Sequence, residues 1–366
     1  MTSWRWDPCV YHLTTKDVVD FSSQYFGGAN KSCLLVAGAG FDPRSVKICE
    51  MLSEIIGGRL DGFFIREERP NPDGNLLHRA DANHTGLEGL VSNSRTIQLE
   101  VFADDGAPIA GPNIVHHVGG VDIAKFDDIV IDLSALSIGV SFPLVRCLQQ
   151  LVLREGNSTN LHLMVTASSH IDATITSEPS DRVTYVKGFD GRAGITGETA
   201  RARLWLPQLA RGRNDILERI RRHDLVNPHD ICPILPFPSR NPREADVLAD
   251  SYMSEFKGDW EIDGKDIVHA DEYNPLDLYR TILRIDDQRT QVFAELGGSL
   301  QILSPMGSKL LAIGALMAAL DRNLPVVYVE SIGYSLDSET ADELIAVEPH
   351  FVHVWLEGDC YPPRRC

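Results

Sequence analysis

No apolar run in this chain of 366 residues reaches the roughly 18 residues that a membrane-crossing helix needs. The longest, Leu310–Leu320, is interrupted by Gly314 and reads as a buried helix. The first residues, MTSWRWDPCVYH, lack the basic-then-apolar layout of a signal peptide, so the expected compartment is the cytoplasm. No two cysteines stand as CxxC. The seven present, Cys9, Cys33, Cys49, Cys147, Cys232, Cys360 and Cys366, are odd in number, and three lie in apolar segments, which argues for reduced, packed thiols over disulfides or structural zinc. Positive charge is scarce: 34 Lys and Arg against 52 Asp and Glu leave a net charge of −18, which repels nucleic acid and anionic membrane over most of the surface. A small anionic ligand in a local Arg/Lys pocket stays compatible with that balance, as does a protein partner with a basic patch. GxSxG, HExxH and paired Cys-His signatures are all missing, so no catalytic residue is assigned.

What the chain has is globular composition, 43% hydrophobic and 23% charged, with room for two domains. Short apolar runs alternate with stretches of helical period, the pattern of a parallel α/β sheet. The expected fold is two Rossmann-like parallel-sheet halves related by internal duplication, with an insertion in the first. Residues 1–31 read as a helical lead-in with a helix over Lys16–Phe26. Residues 32–170 form the first half, 66–120 being an elaborated loop or small β insertion. Residues 171–225 connect, and 226–366 form the second half with a C-terminal extension.

The duplication rests on two pairs of segments. Leu34–Ser45 reads LLVAGAGFDPRS, an apolar strand breaking into a glycine turn with Asp-Pro-Arg, and Ile231–Glu244 reads ICPILPFPSRNPRE, a strand reaching Asn-Pro-Arg. The stretch SLQILSPMGSKLLAIG likewise matches DIVIDLSALSIGVSF in layout: strand, serine-containing glycine loop, helix.

These turns supply the candidate site. Gly38 and Gly40 permit a tight turn and close approach, Asp42 suits a helix cap, Pro43 the first helical position, and Arg44 an anion or carboxylate partner. An ordinary strand-to-helix cap explains the same letters. In the second half, Ser304, Gly307, Ser308 and Lys309 combine a glycine turn, hydroxyls, exposed N–H groups and a cation before an apolar helix, the strongest anion-site signal in the chain. Here too a plain cap by Ser308 is the competing reading. Arg243, Tyr328 and Glu330 lie where strand ends gather ligand contacts in open α/β sheets. Asn274-Pro275 reads as a helix start. His116-His117, read as neighbours in a strand, point to opposite faces and cannot share one metal ion, so no metal site is assigned. Neither glycine turn completes GxGxxG or a P-loop.

Two resemblances fall on these residues. Leu34–Ser45, with Glu67 or Glu68 ending the next strand and Phe126–Asp132 as a later one, resembles S-adenosylmethionine-dependent methyltransferases, which implies that Gly38, Gly40, Glu67 and Asp132 line that cofactor. The duplicated plan with a Gly-Ser-Lys loop resembles the ligand-sensing Rossmann modules of CRISPR and other prokaryotic defence systems, which implies a nucleotide or other phosphate-bearing ligand. The function expected is therefore a nucleotide- or phosphate-ligand-binding sensor or scaffold subunit of a prokaryotic, antiviral-type multi-protein system. The alternative is an S-adenosylmethionine-dependent methyltransferase or another Rossmann-type nucleotide-processing enzyme.

Overall fold

A computed structural model describes residues 4–28, 31–154, 157–191, 202–346 and 349–361. From the N-terminus the chain forms β1 (Tyr11–His12), α1 (Thr15–Tyr25), β2 (Cys33–Gly38), α2 (Lys47–Ile56), β3 (Leu60–Glu68), α3 (Gly74–Leu90), β4 (Asn93–Glu100) and α4 (Ala110–Gly119). It continues through β5 (Asp128–Asp132), α5 (Ile138–Val152), β6 (Asn160–Ala167), α6 (Ser169–Thr174) and β7 (Ile175–Tyr185). Next come β8 (Ala202–Pro207), α7 (Asn214–Arg221), β9 (Asp230–Ile231), β10 (Ile234–Pro236), α8 (Glu244–Ser251), α9 (Met253–Lys257), β11 (Val268–Ala270) and α10 (Pro275–Val292). The last elements are β12 (Ser299–Ser304), α11 (Lys309–Arg322), β13 (Val327–Leu336), α12 (Ser338–Ala346) and β14 (His350–Glu357).

These elements form two compact units. Trp6–Glu178 with Ser331–Cys366 make an outer unit, and Pro179–Glu330 with Met1–Arg5 make a unit inserted into it. The C-terminal stretch therefore belongs with the first part of the chain, because β14 pairs antiparallel with β6 along seven residue pairs. The expected boundaries, with a second half running to 366, give way to this closure.

The outer sheet has seven strands in the order β1-β14-β6-β5-β2-β3-β4. Within it β6, β5, β2, β3 and β4 are all parallel. Numbering those five along the chain gives 3-2-1-4-5 across the sheet, the Rossmann order. Residues 66–120 are a correction to the expected insertion: they supply α3, β4 and α4, regular units that finish one edge of the sheet. Their period was faint because α3 buries only Leu76, Ala80 and Leu87, with polar and small residues around them. His116 and His117 sit in α4, a helix and not a strand. The core under α1 and α2 gathers Val18, Phe26, Leu35, Ile48, Leu52, Leu60, Phe64 and Met164.

In the inserted unit β12, β8 and β9 are parallel neighbours, and β10 pairs parallel with β11. Isolated parallel bridges join Gln208 to Ile234 and Leu303 to Val326. With β9 and β10 taken as one interrupted strand, the order again reads 3-2-1-4-5, centred on β8. That strand lies in the segment expected to connect the halves; Arg203 and the arginines after Leu209 leave it only a short apolar run.

The two Pro-Arg turns consequently do not correspond. Asp42-Pro43-Arg44 follows the central first strand of its sheet, whereas Asn241-Pro242-Arg243 follows the second strand of the other. The serine loops after β5 and β12 do follow equivalent strands. The α/β fold stands, but the turn repeat that suggested a duplication does not support it.

One buried serine joins three strands of the inserted unit. Ser304 Oγ accepts the Trp205 Nε1–H at 2.9 Å and donates to the Val327 carbonyl at 2.9 Å. Trp205 and Ser304 are both fully buried, so losing the hydroxyl strands an indole N–H away from water. Ser304→Ala is expected to lower stability by about 1–3 kcal/mol in urea unfolding of the whole chain, while Ser308→Ala, which removes a helix cap, should cost about 1 kcal/mol.

Candidate functional site

In open parallel sheets ligands gather outside the carboxyl ends of the strands, where the order reverses between strands one and four. Each unit has such an edge. In the outer unit it is occupied by the protein itself. A Cβ at Gly38 would stand 3.0 Å from the Leu136 side chain and 3.1 Å from the Ala135 carbonyl, so glycine here admits the loop after β5, not a ligand. The Gly40 carbonyl accepts from Asn83 Nδ2 at 2.8 Å.

Arg44 is 1% exposed. Its Nε donates to Asp42 Oδ1 at 2.9 Å, Nη2 to Asp42 Oδ2 at 2.7 Å, and Nη1 to Asp172 Oδ1 at 2.8 Å. Burial works to lower the guanidinium pKa, and the carboxylates of Asp172 and Asp42 overcome it, so the group is held still more firmly as a cation. Of the two roles expected for Arg44, the carboxylate partner is the one found. Asp42 caps no helix: it accepts the Arg44 backbone N–H at 2.9 Å in a tight turn, and Val46 stands at the cap of α2.

The acidic residues carried over from the methyltransferase resemblance are engaged as well. Glu67 accepts the Ser137 N–H through Oε1 at 2.9 Å and pairs with Arg69 through Oε2 at 2.8 Å. Asp132 accepts the Ser134 N–H at 2.9 Å.

The inserted unit differs at the same place. After β12 the chain turns through Pro305, Met306 and Gly307 into Ser308, whose side chain caps α11 by accepting the Leu311 N–H at 3.3 Å. Lys309 takes the first helical position, which places a cation at the positive end of a 14-residue helix dipole. That is unfavourable for the helix alone.

Beside this loop lies Gln208, a residue that the sequence did not single out. It follows the central strand β8 and is 1% exposed. Its Nε2 donates to the Leu311 carbonyl at 3.1 Å, and because that carbonyl only accepts, the amide orientation is set. Oε1 is consequently turned toward Gly307, 3.2 Å from where a Cβ there would stand, and is buried without a hydrogen bond.

The other candidates sort by position. Ser304 is committed to Trp205 and Val327 and offers nothing to a ligand. Tyr328 and Glu330 are buried in β13, at 6% and 2% exposure. Arg243 heads α8 with its side chain largely in solvent, 3.9 Å from Asp246. Asn274 caps α10 by accepting the Leu276 N–H at 3.1 Å, a structural role. Arg44 belongs to the outer unit, and Arg243 and Lys309 to the inserted one. Among the described residues no cluster of His, Cys, Asp and Glu is arranged to hold a metal ion, and no helix is long and apolar enough to cross a membrane.

No family model and no curated protein matches this chain. Among solved structures it is similar to the cytoplasmic domain of a prokaryotic cation chloride cotransporter, at 12% identity over 87% of this chain and 100% of that one, with a TM-score of 0.26. It is also similar to the NH3-dependent NAD synthetase of Campylobacter jejuni, at 10% identity over 40% of this chain and 53% of that one, TM-score 0.21. A glycopeptide N-methyltransferase complexed with S-adenosyl-L-homocysteine is a third, at 14% identity over 49% of this chain and 62% of that one, TM-score 0.22. At TM-scores of 0.26 and below these likenesses are weak, and none of the three is described as a defence protein.

The two edges carry different chemistry in consequence. One is held by ion pairs and backbone hydrogen bonds, with the Ser137 hydroxyl at the start of α5 buried outside them; the other has a lysine in the first turn of its helix and a buried amide oxygen without a hydrogen bond. Arg44→Met, which keeps the bulk and deletes the charge, leaves Asp42 and Asp172 without their common partner. It is expected to cost about 3–5 kcal/mol in urea unfolding. A loss below about 1 kcal/mol would mean that the pairing contributes little to the fold.

Proposed function

We propose that the inserted unit binds a small phosphate-bearing ligand of the nucleotide class, and that the protein serves as a ligand-binding sensor or scaffold subunit. The phosphate sits at the N-terminus of α11, where the first-turn N–H groups and Lys309 face it and Ser308 and Gly307 shape the approach.

One observation carries the reading: the buried, unpartnered Oε1 of Gln208 beside Gly307. An amide oxygen held away from water without a partner costs about 1–3 kcal/mol, a cost removed when something donates to it. A fully ionised phosphate only accepts. The ligand therefore brings a hydroxyl or amino donor together with its anionic group, as a sugar phosphate or nucleotide does. The bonds that Glu67, Asp132 and Arg44 make inside the outer unit favour this site over the cofactor cleft that a methyltransferase requires there.

The test is thermal stabilisation by AMP, ribose 5-phosphate, inorganic phosphate and S-adenosylmethionine. AMP is expected to raise the melting temperature of the wild type and not that of Lys309→Ala. Gln208→Leu, which deletes the acceptor, should weaken AMP about ten-fold, equivalent to about 1.4 kcal/mol. Stabilisation by S-adenosylmethionine alone, or an AMP response undiminished in Lys309→Ala, contradicts the proposal.

A further inference from the structure

At the other end of its sheet the outer unit holds a row of three imidazoles and a carboxylate running across four neighbouring strands. His12 on β1 has Nδ1 3.0 Å from His353 Nδ1 on β14, and His353 Nε2 is 3.0 Å from His162 Nδ1 on β6. His162 Nε2 lies 3.2 Å from Asp128 Oδ1 on β5. Tyr25 of α1 donates to the same oxygen at 2.9 Å, and Lys31 stands 3.5 Å from Oδ2. Asp128, His162 and His353 are each 0% exposed, and His12 is half-buried.

Helix α1 covers this row. Phe21 stacks on His12 and His353 at 4.6 and 4.5 Å, and Phe26, just past the helix end, meets His162 edge-on at 5.3 Å. Tyr25 packs against Trp355 of β14 at 4.7 Å.

With the rings neutral, as burial favours, the hydrogen bonds set the tautomers. The carboxylate of Asp128 accepts, so His162 carries its proton on Nε2 and its Nδ1 accepts from His353 Nε2–H. His353 Nδ1 then accepts from His12 Nδ1–H. In this arrangement both nitrogens of His162 and His353 are in use. A further proton on either of these two reverses the donors along the row and leaves a cation sealed from water beneath α1.

We propose that this row is a pH-operated lock on α1: acidification is answered by uptake of protons through release of the helix from β14 and β6, while the rest of the sheet holds.

The charged and titratable groups around the row are few. Asp17 of α1 acts on His12, Lys31 on His162, and Lys31 and Arg59 lie near Asp128 and Cys33; Asp359 and Cys360 act on Tyr25. Burial holds His353 well below the ordinary imidazole range, with charge repulsion from His162 and His12 adding to it, and holds His162 and His12 below that range against the opposing pull of Asp128 and Asp17, Lys31 adding to the lowering of His162. For the sign, the open state titrates near the unperturbed value of about 6.5 and binds more protons than the closed one below it, so the closed state loses stability as pH falls through that value. Each ring kept neutral in the closed state raises the opening constant about ten-fold between pH 7.5 and 5.5, and His162 with His353 about 100-fold.

Hydrogen exchange of the full chain, corrected for intrinsic rates, tests this. Protection over Thr15–Tyr25 is expected to fall about 100-fold between pH 7.5 and 5.5, with β2 and β5 unchanged. In His353→Gln, which keeps a donor and an acceptor but does not titrate, the fall should shrink to about ten-fold. Should that variant fail to fold, long-range proton–nitrogen NMR of the wild-type imidazoles at pH 6.5 decides instead, with His162 and His353 expected to be neutral and protonated on Nε2. Unchanged protection of α1 at pH 5.5, loss shared with β2 and β5, a full response in His353→Gln, or a charged His353 in the closed state would each overturn the lock.

Discussion

The burial of one guanidinium sets the character of the outer unit. An arginine sealed from water has to be met by acceptors on most of its N–H groups, and Arg44 meets them with Asp42 from its own turn and Asp172 from α6. That requirement pins the loop after β2 to a helix far along the chain and fills the space a ligand takes in related sheets. The packing of Gly38 on Ala135 and Leu136, and the hydrogen bond from the Ser137 N–H to Glu67, tighten this edge further. What reads as a cofactor turn is, in this unit, a fastening.

The inserted unit has the same strand order and the opposite outcome. Its counterpart of the first strand, β8, supplies no buried arginine at its end; it supplies Gln208, whose amide is bonded on one side only. Trp205, Ser304 and Val327 bind the central strands into a rigid floor, so the loop into α11 is held on a fixed frame. Rigid support beneath an unsatisfied polar group is the condition under which a ligand gains the full worth of the hydrogen bond it brings. The ligand recognition we propose therefore falls to one unit, with the other fastened by its own charges.

Local signals were the legible ones. The alternation of apolar runs and helical period placed α1, α2, α5, α10 and α11 close to their positions, and Asn274 and Ser308 were readable as caps because capping is decided within three residues. The rest depends on partners distant in sequence. Asp172 lies 128 residues from Arg44, and His162 and His353 are separated by 191, so neither the ion cluster nor the imidazole row has a local signature. The strand β8 was hidden by flanking arginines, and with it went both the correct partner of β2 and the significance of Gln208. Strand-turn chemistry alone paired β2 with β10, which the sheet order does not.

The central claim is that of two equivalent sheet edges one is fastened by ion pairs and the other, which carries the unbonded Gln208 amide oxygen, is where a ligand binds. Chemical-shift mapping of the intact protein during titration with AMP tests it most directly, since it reports both edges in one experiment. The account expects shifts at the backbone amides of Gly307 to Leu311 and at the side-chain amide of Gln208, with Ala39 to Ser45 undisturbed. Shifts centred on Ala39 to Ser45 and Ser134 to Ser137, with the α11 loop silent, would contradict it.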